Sequence, residues 1–215
     1  MSALEVICDR PSPYRRDKFA NRLIDYSNED LFKGWSEEEL ISCLNACLNT
    51  QPINLELSTL IWKKLYDLGK NHELAKEKIR QKGKKIITWL PGARYRVGHL
   101  MNNFKYTGKV RGSYKVYFIL LNEYNKRPPM WGLYIGQTGK KIEDRYEQHL
   151  DPDSQLRSRK VTKRGTQILY SLCNLVPPMN KKDSLGVELL LLKSFRGEST
   201  EKLIRKLPKD IVRGG

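Results

Sequence analysis

A chain of 215 residues, 39% hydrophobic and 30% charged, has the balance of a soluble globular protein rather than a disordered tail. It is long enough for one large domain or two small ones. Its 40 Lys/Arg against 24 Asp/Glu leave a net charge of +16, which bears on polyanionic partners and not on the fold. Cys8, Cys43, Cys47 and Cys173 are too scattered for a disulfide scaffold. No stretch nears the ~20 apolar residues of a membrane span and no signal-peptide run opens the chain, so a cytoplasmic protein with no membrane partner is expected.

The charge is unevenly placed. Residues 1–50 carry six basic and nine acidic side chains (−3), 51–100 eleven and four (+7), 101–150 nine and four (+5), and 151–215 fourteen and seven (+7). An anionic membrane surface is the rival to nucleic acid, and no basic amphipathic helix with a strong apolar face supports it.

The first ninety residues read as helical. Phe19, Leu23 and Tyr26 suggest a helix over Arg15–Tyr26. Ser36 with Glu39 three residues on is a capping box opening a helix to about Asn49. There Cys43 and Cys47 read as small buried hydrophobes on one face. Pro52 suits the first turn of the next helix, whose stripe is Leu57, Leu60, Ile61, Leu65 and Leu68. Gly69 is its stop, and Asn71 caps a further helix through about Gln81. The following stretch is basic and punctuated by glycine: Lys84 and Lys85, then Pro91-Gly92, Arg94, Arg96 and Gly98. Its Ile86–Leu90 run suits a short strand, and its charge interleaved with aromatics suits a nucleic-acid backbone.

From Ser113 the periodicity changes. Tyr114–Leu121 is β-rich and apolar on both faces, as a central strand should be. Asn122–Pro129 is a polar hairpin-type connection, and Trp131–Gln137 a second strand. Thr138 offers an N-cap for a helix over Lys140–Leu150, with Ile142, Tyr146 and Leu150 facing the sheet. A basic loop Arg157–Arg164 leads to a third strand over Thr166–Leu172, and after Pro177-Pro178 a second helix runs from Asp183 to Phe195. The expected class is α+β. A helical module (1–90) for DNA binding or self-association and a basic connector (91–112) precede a β-β-α-β-α domain (113–215) on a three-stranded antiparallel sheet.

That domain holds the residues for phosphodiester chemistry. Tyr134 and Gly136 point to one side of a strand, and the glycine leaves room for a phosphate backbone to approach. Arg145 and His149 are i,i+4 neighbours on a helix and can reach a common point. Glu188 is a lone carboxylate among Leu185, Val187 and Leu189–Leu192, where burial calls for a metal or cation partner. Phosphodiester hydrolysis asks for on the order of 20 kcal/mol of barrier lowering. One placed donor gives about 3–4 kcal/mol, so a divalent ion at Glu188 is the obvious addition.

These residues resemble the motifs of the GIY-YIG nuclease superfamily over residues 113–215. Its second motif is matched by Tyr134-Ile135-Gly136, its Arg-x-x-x-His helix by Arg145 and His149, and its later metal-binding Glu by Glu188. The first motif's tyrosine is matched by Tyr117 in Val116-Tyr117-Phe118, without the glycine. Gly112-Ser113-Tyr114 competes, and Tyr117 is preferred for its spacing to Tyr134. Arg145 lies one residue further from Tyr134 than is usual. No Asn follows Asn180, although the family commonly has one after the Glu helix.

The resemblance implies a DNA endonuclease, restriction-like or of mobile-element (homing) type, using one Mg²⁺ (or Mn²⁺). In it Tyr117 deprotonates water, Arg145 grips the phosphate, Tyr134 and His149 position groups or relay the proton, and Glu188 holds the metal. A phenol of pKa near 10 must be brought down to serve as a base, a task for Arg145 and the metal. The expected nucleic-acid contacts, beyond those in the connector, are Lys140, Lys141, Arg157, Arg159, Lys160, Lys163 and Arg164. A restriction-type activity would favour a homodimer. The alternative is a non-catalytic nucleic-acid-binding protein that keeps the fold.

Overall fold

Ser36 opens the first helix, α1 (Glu37–Asn49), through the reciprocal bonds of a capping box: Glu39 N–H to Ser36 Oγ (3.2 Å) and Ser36 N–H to Glu39 Oε2 (2.7 Å). In this computed structural model the described residues are 31–107, 112–122, 131–155 and 157–196, so the helix expected over Arg15–Tyr26 lies outside them. The chain divides into two units, Met1–Arg96 and Val97–Gly215.

In the first unit α2 spans Leu55–Asp67 and α3 His72–Gln81. The cap of α2 is Asn54, whose Oδ1 accepts from Leu57 N–H at 3.1 Å, rather than a turn begun at Pro52. Gly69 ends this stretch at φ +66°, where glycine carries no Cβ penalty. Asn71 precedes α3 as expected, but its side chain does not cap the helix; it donates to the Glu37 carboxylate. Leu40, Leu44, Cys47, Ile61, Leu65, Ala75 and Ile79 are fully buried and form the core of these helices.

The connector is not a linker. Residues 84–87 form no strand, and Leu90–Asn103 is a helix, α4, which spans the division between the units. Leu90, Ala93, Val97, Leu100 and Met101 are buried at helical spacing. Pro91 is tolerated because it sits in the first turn, where its missing N–H has no helical partner to lose.

The second unit is α+β, as expected. Strands β1 (Lys115–Leu121), β2 (Gly132–Thr138) and β3 (Gly165–Ile168) form an antiparallel sheet in the order β2-β1-β3. Central β1 is buried from Val116 to Leu121, the consequence of neighbours on both edges and apolar residues on both faces. The connection between β1 and β2 lies outside the described residues after Asn122. Helix α5 (Ile142–Leu150) follows β2, and the expected basic loop is a short helix, α6 (Arg159–Arg164).

The third strand is shorter than expected. After Ile168 one further bond runs from Leu169 N–H to Phe118 O (2.8 Å), and Tyr170–Cys173 turns into helix α7. A short, largely apolar stretch such as residues 168–172 does not by itself distinguish strand from helix. The last helix, α8 (Lys181–Phe195), is capped by Asn180, whose Oδ1 accepts from Asp183 N–H at 2.8 Å. Buried Asp183 accepts in turn from the Thr107 hydroxyl (2.7 Å) and backbone N–H (3.1 Å), tying the entry to β1 to the start of α8. Among the described residues no helix is long and apolar enough to cross a membrane.

Candidate active site

Register assembles the site. Tyr117 on β1 lies directly opposite Gly136 on β2, and Ile119 opposite Tyr134. Opposed residues of an antiparallel pair share a face, so Tyr117, Tyr134 and Gly136 emerge on one side of the sheet. The Tyr117 ring lies across Gly136: a Cβ at position 136 would come within 2.6 Å of its Oη and 2.7 Å of its Cζ. The room left by the glycine, expected for a phosphate backbone, is taken by the protein's own phenol. Of the two candidate first-motif tyrosines, Tyr117 is the one beside Tyr134, with ring centroids 6.1 Å apart. Tyr114 instead bridges to Met179 in a lone ladder pair.

Helix α5 adds the basic groups, although Thr138 does not cap it. Thr138 Oγ1 accepts from Lys140 N–H (3.0 Å) in the turn, and Lys141 is the N-cap residue. The helix is also rotated from expectation: Ile142 and His149 are buried, Arg145 and Tyr146 half-buried, and Leu150 exposed. Ile142, Arg145 and His149 recur at three- and four-residue steps, so the polar pair takes the inward face.

His149 is the hinge of the cluster. Its Nε2 is 2.7 Å from Tyr117 Oη, and its Nδ1 accepts from Ser158 N–H at 3.0 Å. Its ring stands edge-on to Tyr134 at 5.4 Å. The Thr162 hydroxyl donates to its carbonyl (2.5 Å), pinning α6 against the end of α5. Sequence reasoning missed Ser158 and Thr162; only their nearness to His149 in the chain hinted at contact.

Burial sets the charge states. It lowers the His149 imidazole from 6.5 to about 4, and the Arg145 charge adds to that effect. Burial also pushes the Tyr117 phenol above its ordinary value of 10.0, with Tyr134 adding to the rise and Arg145 opposing it. Arg145 acts on this phenol in the expected direction, and desolvation outweighs the guanidinium. Tyr117 and His149 are each only 1% exposed, so the phenol expected to activate water is the enclosed one. Tyr134 is half-buried and is the less enclosed of the two phenols.

Glu188 stands apart in chemistry. Helix α8 packs on β2 and β1, but the Glu188 carboxylate makes no hydrogen bond or ion pair among the described residues, with Arg145 or any other. Burial raises its pKa, and no neighbouring cation offsets the rise. No group of three or more His, Cys, Asp or Glu side chains converges anywhere among the described residues. A single unpaired, desolvated carboxylate fits an ion held mainly by water and substrate phosphate, in the manner of Mg²⁺, and not a protein cage.

Of the expected nucleic-acid contacts, Lys84, Lys85, Arg96, Lys140, Lys141, Arg157, Arg159, Lys160, Lys163 and Arg164 are exposed. Arg94 is the exception. It is 9% exposed, burial lowers its pKa, and buried Glu56 counters with an opposite charge. It is an internal charge of the first unit, placed inward by the α4 periodicity that the connector reading overlooked. Comparison of the chain with protein-family models, curated proteins and solved structures finds no match in any of the three.

Proposed function

We propose that this protein is a divalent-metal-dependent DNA endonuclease of the GIY-YIG type, hydrolysing phosphodiester bonds at the Tyr117–Tyr134–Arg145–His149 cluster. The observation that carries this reading is the convergence of those side chains, drawn from two strands and a helix; the helix packed on the same two strands carries the half-buried Glu188 carboxylate. Nothing in core packing calls for a buried imidazole–phenol pair next to a guanidinium, and perturbed ionisable groups gather where chemistry is done.

In this reading Arg145 neutralises the scissile phosphate and orients it toward the tyrosines. Water attacks phosphorus and gives its proton to the Tyr117 oxygen, whose own proton has first left to solvent, while the bond to the leaving oxygen breaks and that oxygen takes up a proton from solvent. Glu188 would hold Mg²⁺ or Mn²⁺, and the bound ion supplies Lewis-acid stabilisation of charge on the leaving oxygen. The exposed lysines and arginines of the α5 turn and α6 hold the polyanion through its backbone.

A second reading, a nucleic-acid-binding protein without catalysis, draws on one observation: the enclosed Tyr117 phenol is held further from ionisation than a free one. Nicking of supercoiled plasmid in Mg²⁺ or EDTA, with wild type and Glu188→Ala, separates the two. The nuclease reading expects metal-dependent nicking that the substitution abolishes while binding persists. Equal cutting by both proteins overturns the metal assignment. Salt-sensitive binding with no cutting by wild type selects the second reading.

A further inference from the structure

We infer that His149 is a fixed hydrogen-bond donor to Tyr117 and not a base. This deepens the nuclease reading and rests on it for the bond's purpose, although the hydrogen-bond polarity stands on geometry alone.

The argument begins at a backbone amide. Ser158 N–H can only donate, and it lies 3.0 Å from His149 Nδ1, so that nitrogen presents its lone pair and carries no proton. A neutral imidazole has one N–H, which must then be on Nε2. Nε2 is 2.7 Å from Tyr117 Oη, so the imidazole donates and the phenol oxygen accepts. Protonating Nδ1 would set donor against donor at Ser158, in a buried site beside the Arg145 charge. The lowering of the His149 pKa to about 4 agrees.

Two consequences follow. Nε2 already holds its proton and cannot take the one on Tyr117. When Tyr117 ionises, the Nε2–H and the Arg145 guanidinium both face the phenolate, so His149 acts as a positioning residue that stabilises the anion. The phenol hydrogen is therefore directed away from His149. Tyr117 and His149 are enclosed, whereas the neighbouring Tyr134, its ring centroid 6.1 Å from that of Tyr117, is half-buried. The groups facing the imidazole are Tyr117 from β1, Tyr134 from β2 and Arg145 from its own helix. Among the described residues, the α6 side contributes the uncharged Ser158 amide to the ring, with the Thr162 hydroxyl on the His149 carbonyl.

The direct test is a two-bond ¹H–¹⁵N spectrum of the histidine imidazoles in the full chain at neutral pH, with His149 assigned by His149→Gln. The expected result is a neutral ring protonated at Nε2. A ring protonated at Nδ1, or an imidazolium, overturns the inference whether or not the protein cuts DNA. The second arm is the pH–rate profile. Gln at position 149 brings an amide N–H close to the Nε2 site, so His149→Gln keeps cleavage within about tenfold while His149→Leu loses about 10²–10³-fold. Equal loss in both variants, or a wild-type acidic limb near pH 6.5 that vanishes in His149→Gln, restores the base role. A ring protonated at Nε2 in a protein that never cuts DNA sinks the nuclease reading alone.

Discussion

Replacing Gly136 by Ala tests whether the strand pair was built around the Tyr117 ring. The added methyl would sit 2.6 Å from Tyr117 Oη, against an ordinary contact of 3.4 Å or more, so the ring must withdraw by about 0.8 Å. Tyr117 is central in a buried strand and cannot give way freely, so overpacking costs about 1–3 kcal/mol. Withdrawal also breaks the 2.7 Å bond to His149, leaving a buried phenol oxygen short of a partner for about 1 kcal/mol more. The expected loss is about 2–4 kcal/mol, read by urea unfolding of the full chain. Cleavage should fall about 10²-fold, since a shift approaching 1 Å misplaces the reacting groups. A double-mutant cycle with Tyr117→Phe isolates the hydroxyl, and Gly136→Ala should cost about 1 kcal/mol less in the Phe background. A loss under about 0.5 kcal/mol, or an equal loss in both backgrounds, would refute the reasoning.

Four further outcomes are expected. The folded His149 pKa of about 4 lies below its unfolded value of 6.5, so its contribution is fully present above pH 6.5 and lost as pH falls through about 4. The gap is worth at most about 3 kcal/mol, and nearby solvent reduces it to about 2; urea melts across this window should show the decline, and His149→Leu should flatten it. For Glu188 the sign is opposite: a raised folded pKa gives stability that is present below 4.5 and lost as pH rises through the folded value. Glu188→Gln should therefore gain about 1 kcal/mol, roughly 4 °C in Tm, at pH 7.5 and nothing at pH 4; an unchanged or lower Tm at pH 7.5 contradicts the unpaired carboxylate. Arg159→Ala with Lys160→Ala should reduce the log–log salt slope of DNA binding by about 2 without unfolding the protein. Arg94→Ala should leave that slope alone and destabilise the chain by about 3 kcal/mol, because it takes an opposite charge away from buried Glu56.

Local signals carried much of the fold. The Ser36–Glu39 box, the apolar stripe from Leu60 to Leu65 and the two-sided burial of β1 follow from capping and periodicity, which neighbouring residues decide among themselves. Where tertiary context decided, the reading slipped. Pro91, Gly92 and Gly98 look like linker punctuation, yet they sit in a helix because Leu90, Ala93, Val97 and Leu100 are buried on one side of it. Leu169 to Val176 is mostly apolar, broken by Ser171 and Asn174, and the end of pairing with β1 turns it from strand to helix. Arg94 read as surface because it is basic, and a row of helical positions carried it inward.

The cluster itself was legible as a set of residues but not as a set of roles. Spacing showed that Tyr117 and Tyr134 share a strand pair and that Arg145 and His149 share a helix face. It could not show which phenol is enclosed, because that depends on one register. A slip of β2 by one residue would set Gln137 or Ile135 opposite Tyr117 and turn Tyr134 to the far face. The opposite face of the same strands, with Val116, Phe118, Leu120 and Ile135 buried, would then lose its packing as well. The apolar side of the sheet therefore fixes the register, and the register brings Gly136 under the Tyr117 ring. That ring, unable to stand over any larger residue, delivers its hydroxyl to the imidazole of His149.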